Sequence, residues 1–167
     1  GVDHWKIQGL DFSKIFHQVD MPASVARKNV DIQDHNLVNA LDNKLIELAM
    51  PALETGKKMT IDLPITNTNR TVGTMLSNQI AVRYGNTGLP DDTIHVNFAG
   101  TSGQSFAAFL AKGITFSLTG EGNDYVGKGL CGGRVVITRP ASFKGVAHEN
   151  IIIGNTVMYG ATTGEAY

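Results

Sequence analysis

The stretch that decides the fold is TIHVNFAG at residues 93–100, followed by GITFSLTG at residues 113–120. Apolar residues occupy every second position of both segments: Ile94, Val96 and Phe98, then Ile114, Phe116 and Leu118. This alternation is typical of a β-strand with one buried face. Gly100 and Gly120 each follow the first isoleucine of their segment by six residues. The two segments therefore predict two strands of one repeating unit.

Two shorter segments follow the same rule, Val135–Ile137 and Ile151–Ile153, so the strand starts are separated by 20, 21 and 16 residues. Such a unit cannot bury its apolar face alone and indicates a solenoid. We therefore predict a mainly β fold, a right-handed parallel β-helix in which Ile94, Ile114, Val135 and Ile151 form one buried ladder. No helical pattern separates these strands, which argues against βαβ crossovers. The alternative is an antiparallel sandwich, but its strands usually recur every ~8–12 residues.

Glycine is concentrated in the second half of the chain, where 15 of the 19 glycines lie from Gly85 onward. We interpret them as corners at which the backbone takes a positive φ angle. Asparagine and aspartate in such corners bond to the turn backbone. The predicted structural turn residues are Gly100, Gly103, Gly120, Asn123, Asp124, Gly127, Gly129, Gly132, Gly133, Gly154, Asn155, Gly160 and Gly164.

The first part of the chain, residues 1–68, is predicted to be a connector arm that precedes a β-helix domain at residues 69–167. Leucines at i+4 and i+3 spacing predict a helix at about 34–55, with Asp34 as its N-cap, an interruption at Pro51 and a stop at Gly56. Residues 59–65 alternate as a strand, and Pro64 places that strand at an edge. A second helix is predicted from Thr71 to Tyr84.

Composition excludes several classes of protein. A net charge of −1 gives no electrostatic footprint for nucleic acid or an anionic membrane. No apolar run approaches the ~20 residues of a membrane span. A single cysteine, Cys131, excludes a disulfide framework, a cysteine-rich zinc site and an iron–sulfur cluster held wholly by this chain. We expect a reducing, cytoplasmic location, and the start at Gly1 without methionine suggests processing or an excised domain.

Two glycine motifs resemble nucleotide-binding signatures. Residues 127–132 match G-x-G-x-x-G, and residues 122–128 nearly match the phosphate-binding P-loop. Both signatures need a helix next, whose N-terminus meets the phosphate. A β-branched run, residues 134–138, follows instead, so we interpret both motifs as solenoid corners. The five histidines are scattered, and Cys131 has no visible base. No catalytic, cofactor-binding or metal-binding residue is predicted.

The run from Asn69 to Tyr167 resembles the C-terminal domain of glutamate synthase large subunits, which is named for its G-x-G-x-G pattern. The most specific stretches are GQSF at 103–106, NDYVGKG at 123–129 and YGAT at 159–162, and QDHNLVNALDNKLIELAMPALE upstream is less specific. The pattern is closer to the NAD(P)H-dependent class than to the ferredoxin-dependent one. Ala107 stands where a glycine is usual, which requires a negative φ or a modest strain there.

The resemblance implies an enzyme of glutamate biosynthesis and nitrogen assimilation that makes two glutamates from glutamine, 2-oxoglutarate and reductant. It implies ammonia release in an amidotransferase domain, and FMN and an iron–sulfur cluster in a separate synthase domain. This domain would hold no cofactor and would act as a rigid spacer and interface between them. The implied partners are the other domains of the large subunit, with the small subunit as a further candidate.

Two other functions stay open at this point. The chain could be a small-molecule-binding module that uses its glycine corners, or a free-standing interaction subunit. We also expect self-association, because an open β-helix end at the C-terminal coil would expose unpaired strand edges.

Overall fold

The computed structural model describes residues 3–17 and 19–167. Of the predicted arm, residues 1, 2 and 18 lie outside this description. The chain divides into two units, one up to His35 and one from Asn36 to Tyr167. The first unit contains a short 3-10 helix, Trp5–Ile7, and otherwise consists of turns and bends with mostly exposed side chains.

Among the described residues of the second unit, a short 3-10 helix, Leu37–Asn39, precedes two α-helices, α1 (Leu41–Thr55) and α2 (Thr74–Tyr84). Helix α1 buries Leu45, Ala49, Ala52 and Leu53, which share one face at helical spacing. It begins at Leu41 rather than after Asp34, because Asn36 takes a left-handed conformation and Ala40 is extended. Pro51 lies within the helix on its exposed side, and Gly56 ends it as predicted. Gly85 ends α2, also as predicted.

Within residues 3–17 and 19–167, one parallel sheet contains five strands in chain order: β1 (Met59–Ile65), β2 (Ile94–Ser102), β3 (Ile114–Gly122), β4 (Cys131–Thr138) and β5 (Thr163–Ala166). The predicted starts of β2 at Ile94 and β3 at Ile114 are confirmed. These two residues are register partners, as are Gly100 and Gly120. Both strands continue two residues beyond these glycines.

The predicted right-handed parallel β-helix is wrong. The structure is an α/β fold with one five-stranded parallel sheet and a helical layer, and no solenoid forms within the described residues. The spacing between strand starts misled the prediction because β1 was not part of that series. Strand β1 pairs with β2 over seven residues, and helix α2 lies in the connection between them. That connection is a βαβ crossover. The argument against crossovers considered only the later strands, and β2, β3 and β4 do follow one another without an α-helix. The antiparallel sandwich is also excluded, since every strand pair is parallel.

The C-terminal strand is not where the apolar pattern placed it. Ile151 is 86% exposed, and Ile153 makes only an isolated bridge to Gly122. The fifth strand instead lies at Thr163–Ala166, a segment without an apolar pattern. Strand β4 begins at Cys131, and Val135 lies opposite Phe116 rather than opposite Ile114. The predicted ladder therefore holds only for its first two members.

The core lies on one face of the sheet and contains three closely packed aromatic rings. Phe98 packs edge-on against Phe106 and Phe116, with ring centroids 5.4 and 5.0 Å apart. These rings and the aliphatic side chains around them are removed from water, which is the main stabilising contribution to such a domain. None of the helices in the described residues is long and apolar enough to cross a membrane.

Candidate functional site in the stacked turns

Three turn segments, residues 104–109, 124–129 and 155–160, share one backbone pattern, and we call them the turn stack. The second, fourth and sixth residues of each segment have a positive φ: Ser105, Ala107, Phe109, Tyr125, Gly127, Gly129, Thr156, Met158 and Gly160. The first two segments connect β2 to β3 and β3 to β4, and the third precedes β5. Glycine occupies only three of these nine positions, so the pattern belongs to the fold and not to glycine alone.

Backbone hydrogen bonds join neighbouring segments of the turn stack. The Tyr125 and Gly129 N–H groups donate to the next segment, to the carbonyls of Asn155 and Tyr159, over 2.9 and 2.8 Å. The Gly127 N–H donates in the opposite direction, to the Phe106 carbonyl, over 2.9 Å. The N–H groups of successive left-handed residues in this segment thus donate to opposite sides. The middle segment is thereby bonded to its neighbours on both sides, much as a strand is within a sheet.

The nucleotide-like glycine motif lies inside this stack. A phosphate-binding loop needs several free N–H groups that converge on the anion. In residues 127–131 every backbone N–H already donates to a carbonyl, to those of Phe106, Tyr125, Tyr159, Gly127 and Leu110 in chain order. The Lys128 ammonium lies 5.6 Å from the centre of the Tyr125 ring. The backbone N–H groups of residues 127–131 therefore hold the turn stack together, and none of them is free to bind a phosphate.

The stack explains why Gly129 of the motif is a glycine. A β-carbon on Gly129 would lie 2.5 Å from Phe109 Cε1, and one on Gly127 would lie 3.4 Å from Met158 Cγ. Phe109 and Met158 belong to the neighbouring segments and cover these glycines. Ala107, at the position equivalent to Gly127, has a φ of +59°. The sequence left two alternatives for Ala107, a negative φ angle or a strained backbone, and the structure has the strained one.

Two of the predicted turn glycines lie inside strands. Gly100 and Gly120 have φ angles of +134° and +149°. A β-carbon on Gly100 would overlap the Ile65 carbonyl oxygen, and one on Gly120 would overlap the Gly100 carbonyl oxygen. Backbone atoms cannot move aside as a flexible side chain can. Gly100 and Gly120 therefore allow β1, β2 and β3 to approach one another closely.

A polar corner contains another five predicted residues. The Asp124 carboxylate accepts the Asn155 N–H over 2.7 Å, and the Asn123 amide donates to the Asn67 side chain over 2.8 Å. A β-carbon on Gly154 would overlap the Asp124 carboxylate, and one on Gly103 would lie 2.6 Å from the Asn67 carbonyl. Neither glycine has a positive φ in the left-handed range, so close packing and not turn geometry requires them.

The last three predicted glycines surround an irregularity between β4 and β5. The strand register shifts between Cys131 and Arg134. Gly132 and Gly164 have φ angles of +106° and +120°, whereas Gly133 lacks a positive φ and faces Leu110. A cleft of about 400 Å³ opens here, and its lining includes Arg134 and Lys112.

A charged network that the sequence did not predict crosses the outer face of the sheet. Arg134 donates two hydrogen bonds of 3.0 Å to Asp92 and one of 2.5 Å to Glu165. The Thr115 hydroxyl donates to Asp92 over 2.6 Å. This hydroxyl, with the Arg134 guanidinium, lowers the pKa of Asp92. The network joins Asp92, two residues before β2, to side chains of β3, β4 and β5 and so links neighbouring strands.

A second unpredicted residue is Asp42, whose buried carboxylate caps α2 from the first turn of α1. It accepts the N–H groups of Gly73, Met75 and Leu76 over 2.8, 2.7 and 3.1 Å. Burial raises the pKa of Asp42, and the three N–H donors oppose that shift. These donors would otherwise be unsatisfied at the helix start. In the sequence, Asp42 appeared only as a polar residue inside the helix predicted at about 34–55, and nothing there indicated that it would cap the second helix.

The residues present do not fit an iron–sulfur cluster or a metal centre. Cys131 is exposed at the start of β4, and a cluster requires several thiolates. Across the described residues, no group of three or more histidine, cysteine or acidic side chains is placed so that it could hold a metal ion. A second cleft, of about 520 Å³, lies beside α2 and is lined by Thr74, Asn78, Phe109, Lys112 and Cys131 among others.

Residues 42–167 match the model of the family described as GXGXG motif. The chain is 44% identical over 166 residues to the glutamate synthase [NADPH] large chain of Bacillus subtilis (strain 168), covering 99% of this chain and 11% of that relative. It is 53% identical over 142 residues to the glutamate synthase [NADH] of Schizosaccharomyces pombe, covering 85% and 7%. It is 51% identical over 121 residues to the ferredoxin-dependent glutamate synthase of Pyropia yezoensis, covering 70% and 8%. The chain thus spans about a tenth of the length of these relatives.

Proposed function

This chain belongs to the GXGXG motif family, and on that premise we propose that it is a non-catalytic structural domain of a glutamate synthase large chain. Its role is that of a rigid spacer and interface between an amidotransferase domain and a synthase domain. The whole enzyme converts glutamine, 2-oxoglutarate and reductant to two glutamates, in the cytoplasm. The chemistry takes place in those other domains.

One observation carries the proposal. The backbone N–H groups of residues 127–131, which would have to bind a phosphate, all donate to carbonyls within the domain. A glycine motif used in this way builds a rigid stack of turns. Rigidity is what a spacer needs, since it fixes the distance and orientation of the domains that it joins.

The cofactors of the proposed enzyme belong to its other domains. One exposed cysteine cannot supply the ligands of an iron–sulfur cluster, so the cluster must be held elsewhere. An FMN phosphate would find no free N–H cradle in residues 127–131. For the electron donor we propose NAD(P)H. The relatives named for NADPH and NADH are 44% and 53% identical over 99% and 85% of the chain, whereas two ferredoxin-dependent relatives match at 51% over 70% and at 36% over 95%.

A small-molecule-binding module is the second candidate. The cleft beside α2, at about 520 Å³, has the size of a ligand pocket. Phe109 presents an exposed aromatic ring there, and Lys112 a cation. The structural role remains the better supported of the two, because the glycine motif itself has its donors occupied.

The purified chain tests the proposal. We expect no flavin absorbance, no glutaminase activity and no thermal stabilisation by NADPH, FMN or 2-oxoglutarate. A ligand with a dissociation constant below about 100 μM would favour the binding module instead. Flavin that copurifies in stoichiometric amount, or glutaminase activity that follows the protein through purification, would overturn the structural role.

A further inference from the structure

The first unit of the chain, of which the structure describes residues 3–17 and 19–35, has many apolar side chains and no core of its own. We call it the N-terminal unit. None of its described residues is buried, and only Ile7 and Phe12 are half-buried. It therefore presents apolar surface that the described residues do not cover. The large apolar side chains that are at least 40% exposed are Trp5, Leu10, Ile15, Phe16, Val19, Met21, Val25, Val30 and Ile32.

The backbone of the N-terminal unit is shaped by local contacts. Its described residues contain one helix, Trp5–Ile7, of three residues. Their backbone hydrogen bonds join residues three or four positions apart, such as those from Ile15 and Phe16 to the Phe12 carbonyl, over 2.9 and 2.8 Å. Segments longer than about 15 residues without regular structure are uncommon in compact domains, and they are usually either binding segments or disordered ones.

The composition of the N-terminal unit favours the binding segment. Disordered segments are poor in aromatic and β-branched residues, whereas residues 1–35 contain three aromatic residues and seven isoleucines or valines. Four lysines and arginines oppose five aspartates there. Such a balance attracts neither nucleic acid nor an anionic membrane, and a membrane-surface segment would also need a basic amphipathic helix. The partner is therefore an apolar protein surface.

The family relationships indicate where that surface lies. The GXGXG motif model begins at residue 42, so the N-terminal unit lies outside the module. The alignment with the Bacillus subtilis large chain covers 99% of this chain and so includes the unit, but it occupies only 11% of that relative. A partner tethered in the same polypeptide has an effective concentration of about a millimolar. A separate copy of the chain reaches such a concentration only in concentrated solution.

We propose that the N-terminal unit docks on an apolar surface in the remainder of the same large chain, and that this contact holds the domain to its neighbours. The inference rests on the proposed function, which makes this chain one domain of a glutamate synthase large chain. Trp5 and Phe16, which are 71% and 55% exposed, are the anchors of the contact. Aromatic side chains that enter a pocket contribute a large part of the binding energy of such interfaces.

Amide hydrogen exchange of the 167-residue chain and of the full-length large chain that contains it tests the proposal. In the 167-residue chain, peptides from residues 3–17 and 19–35 should exchange about as fast as an unstructured chain, because their hydrogen bonds are local. In the full-length chain the same peptides should exchange about a hundredfold more slowly. Peptides from β2 and β3 should be protected in both proteins.

Two results of this comparison would overturn the proposal. One is equally fast exchange of the N-terminal unit in both proteins. The other is protection of the unit in the 167-residue chain that rises with protein concentration, because the occupant would then be a second copy.

A pair of variants of the full-length chain identifies the surface. Ile32→Asp should speed exchange of residues 19–35 about tenfold, because Ile32 is fully exposed in the domain alone and would be buried in the contact. Val82→Asp is the matched control, since Val82 is a β-branched residue 74% exposed on α2, and it should leave this exchange unchanged. Equal exchange in the two variants would contradict docking through the apolar side chains.

The failure of this proposal and that of the proposed function are distinguishable. Flavin or glutaminase activity in the purified 167-residue chain overturns the structural role, whatever the exchange of the N-terminal unit. Fast exchange of the unit in the full-length chain, with neither of those signals, overturns only the docking.

Discussion

The ring of Phe109 covers Gly129, with Phe109 Cε1 only 2.5 Å from where a β-carbon on that glycine would lie. The two residues occupy the same position in successive segments of the turn stack, and both have a positive φ. One segment thus carries a bulky left-handed residue because the next carries a glycine. The G-x-G of this chain therefore serves the packing between turns as well as the conformation of one turn.

Gly129→Ala should destabilise the fold by about 2–4 kcal/mol, about 1 from the left-handed backbone and the remainder from overpacking against Phe109. The matched control is Gly160→Ala, at the equivalent position of the last segment, where φ is +67° and nothing lies within 4 Å of the added carbon. It should cost only about 1 kcal/mol. Urea unfolding of both variants measures the difference, and equal losses would contradict the covering role of Phe109.

Gly120→Ala should have the largest effect of any glycine substitution in the sheet, because the added carbon would overlap the backbone carbonyl of Gly100. We expect a loss of more than about 4 kcal/mol or no cooperative transition at all. Gly56→Ala, with a φ of +70° and open space around the added carbon, is the control and should lose about 1 kcal/mol. Near-native stability of Gly120→Ala would show that the strands do not approach as described.

Asp42→Asn should destabilise the fold by about 2 kcal/mol, because an amide nitrogen would replace the oxygen that accepts from Met75 and Leu76. Asp62→Asn is the control: Asp62 is exposed and accepts one bond from the Asn97 side chain, and its replacement should change stability by less than about 0.5 kcal/mol. Chemical denaturation of both variants provides the comparison. Equal losses of unfolding free energy in the two variants would mean that the cap on α2 does not stabilise the fold.

The stability contributed by Asp92 should depend on pH. Hydrogen bonds from Thr115, and then from Arg134, lower its pKa in the folded state, while its unfolded value is about 3.9. The unfolded chain therefore binds this proton more readily. The stabilisation is complete above the unfolded pKa and is lost as the pH falls through the folded one. Unfolding measured from pH 6 to pH 3 should show a smaller acid loss in Asp92→Asn, and an unchanged profile would contradict this.

Local patterns predicted the local elements of this fold. Alternation identified β2 and β3 with their starts, and glycines gave the ends of α1 and α2. Long-range pairing was not predicted: β1 joins the sheet through α2, and β5 has no apolar pattern because all its side chains are exposed. Repeat spacing alone led to the wrong β-helix, since it counts strands but does not show how their connections pack.

The sequence predicted only part of the candidate site, because the prediction used glycine as its marker for a positive φ angle. That marker finds Gly127, Gly129 and Gly160 in the turn stack but misses Ser105, Phe109, Tyr125, Thr156 and Met158, which take the same conformation. Their conformation is imposed by hydrogen bonds between segments, a tertiary effect. Asp42 and Arg134 were missed for the same reason, since their partners lie 31 to 34 and 31 to 42 residues away in the sequence.

The central claim is that the glycine motif builds the turn stack and binds no nucleotide. An amide-resolved NMR titration of the chain with NADPH and with FMN tests it most directly. We predict that the amide signals of residues 127–131 stay in place at millimolar ligand and that their hydrogen exchange remains slow. Saturable shifts centred on Gly127, Gly129 and Leu130, with a dissociation constant below about 100 μM, would contradict the account.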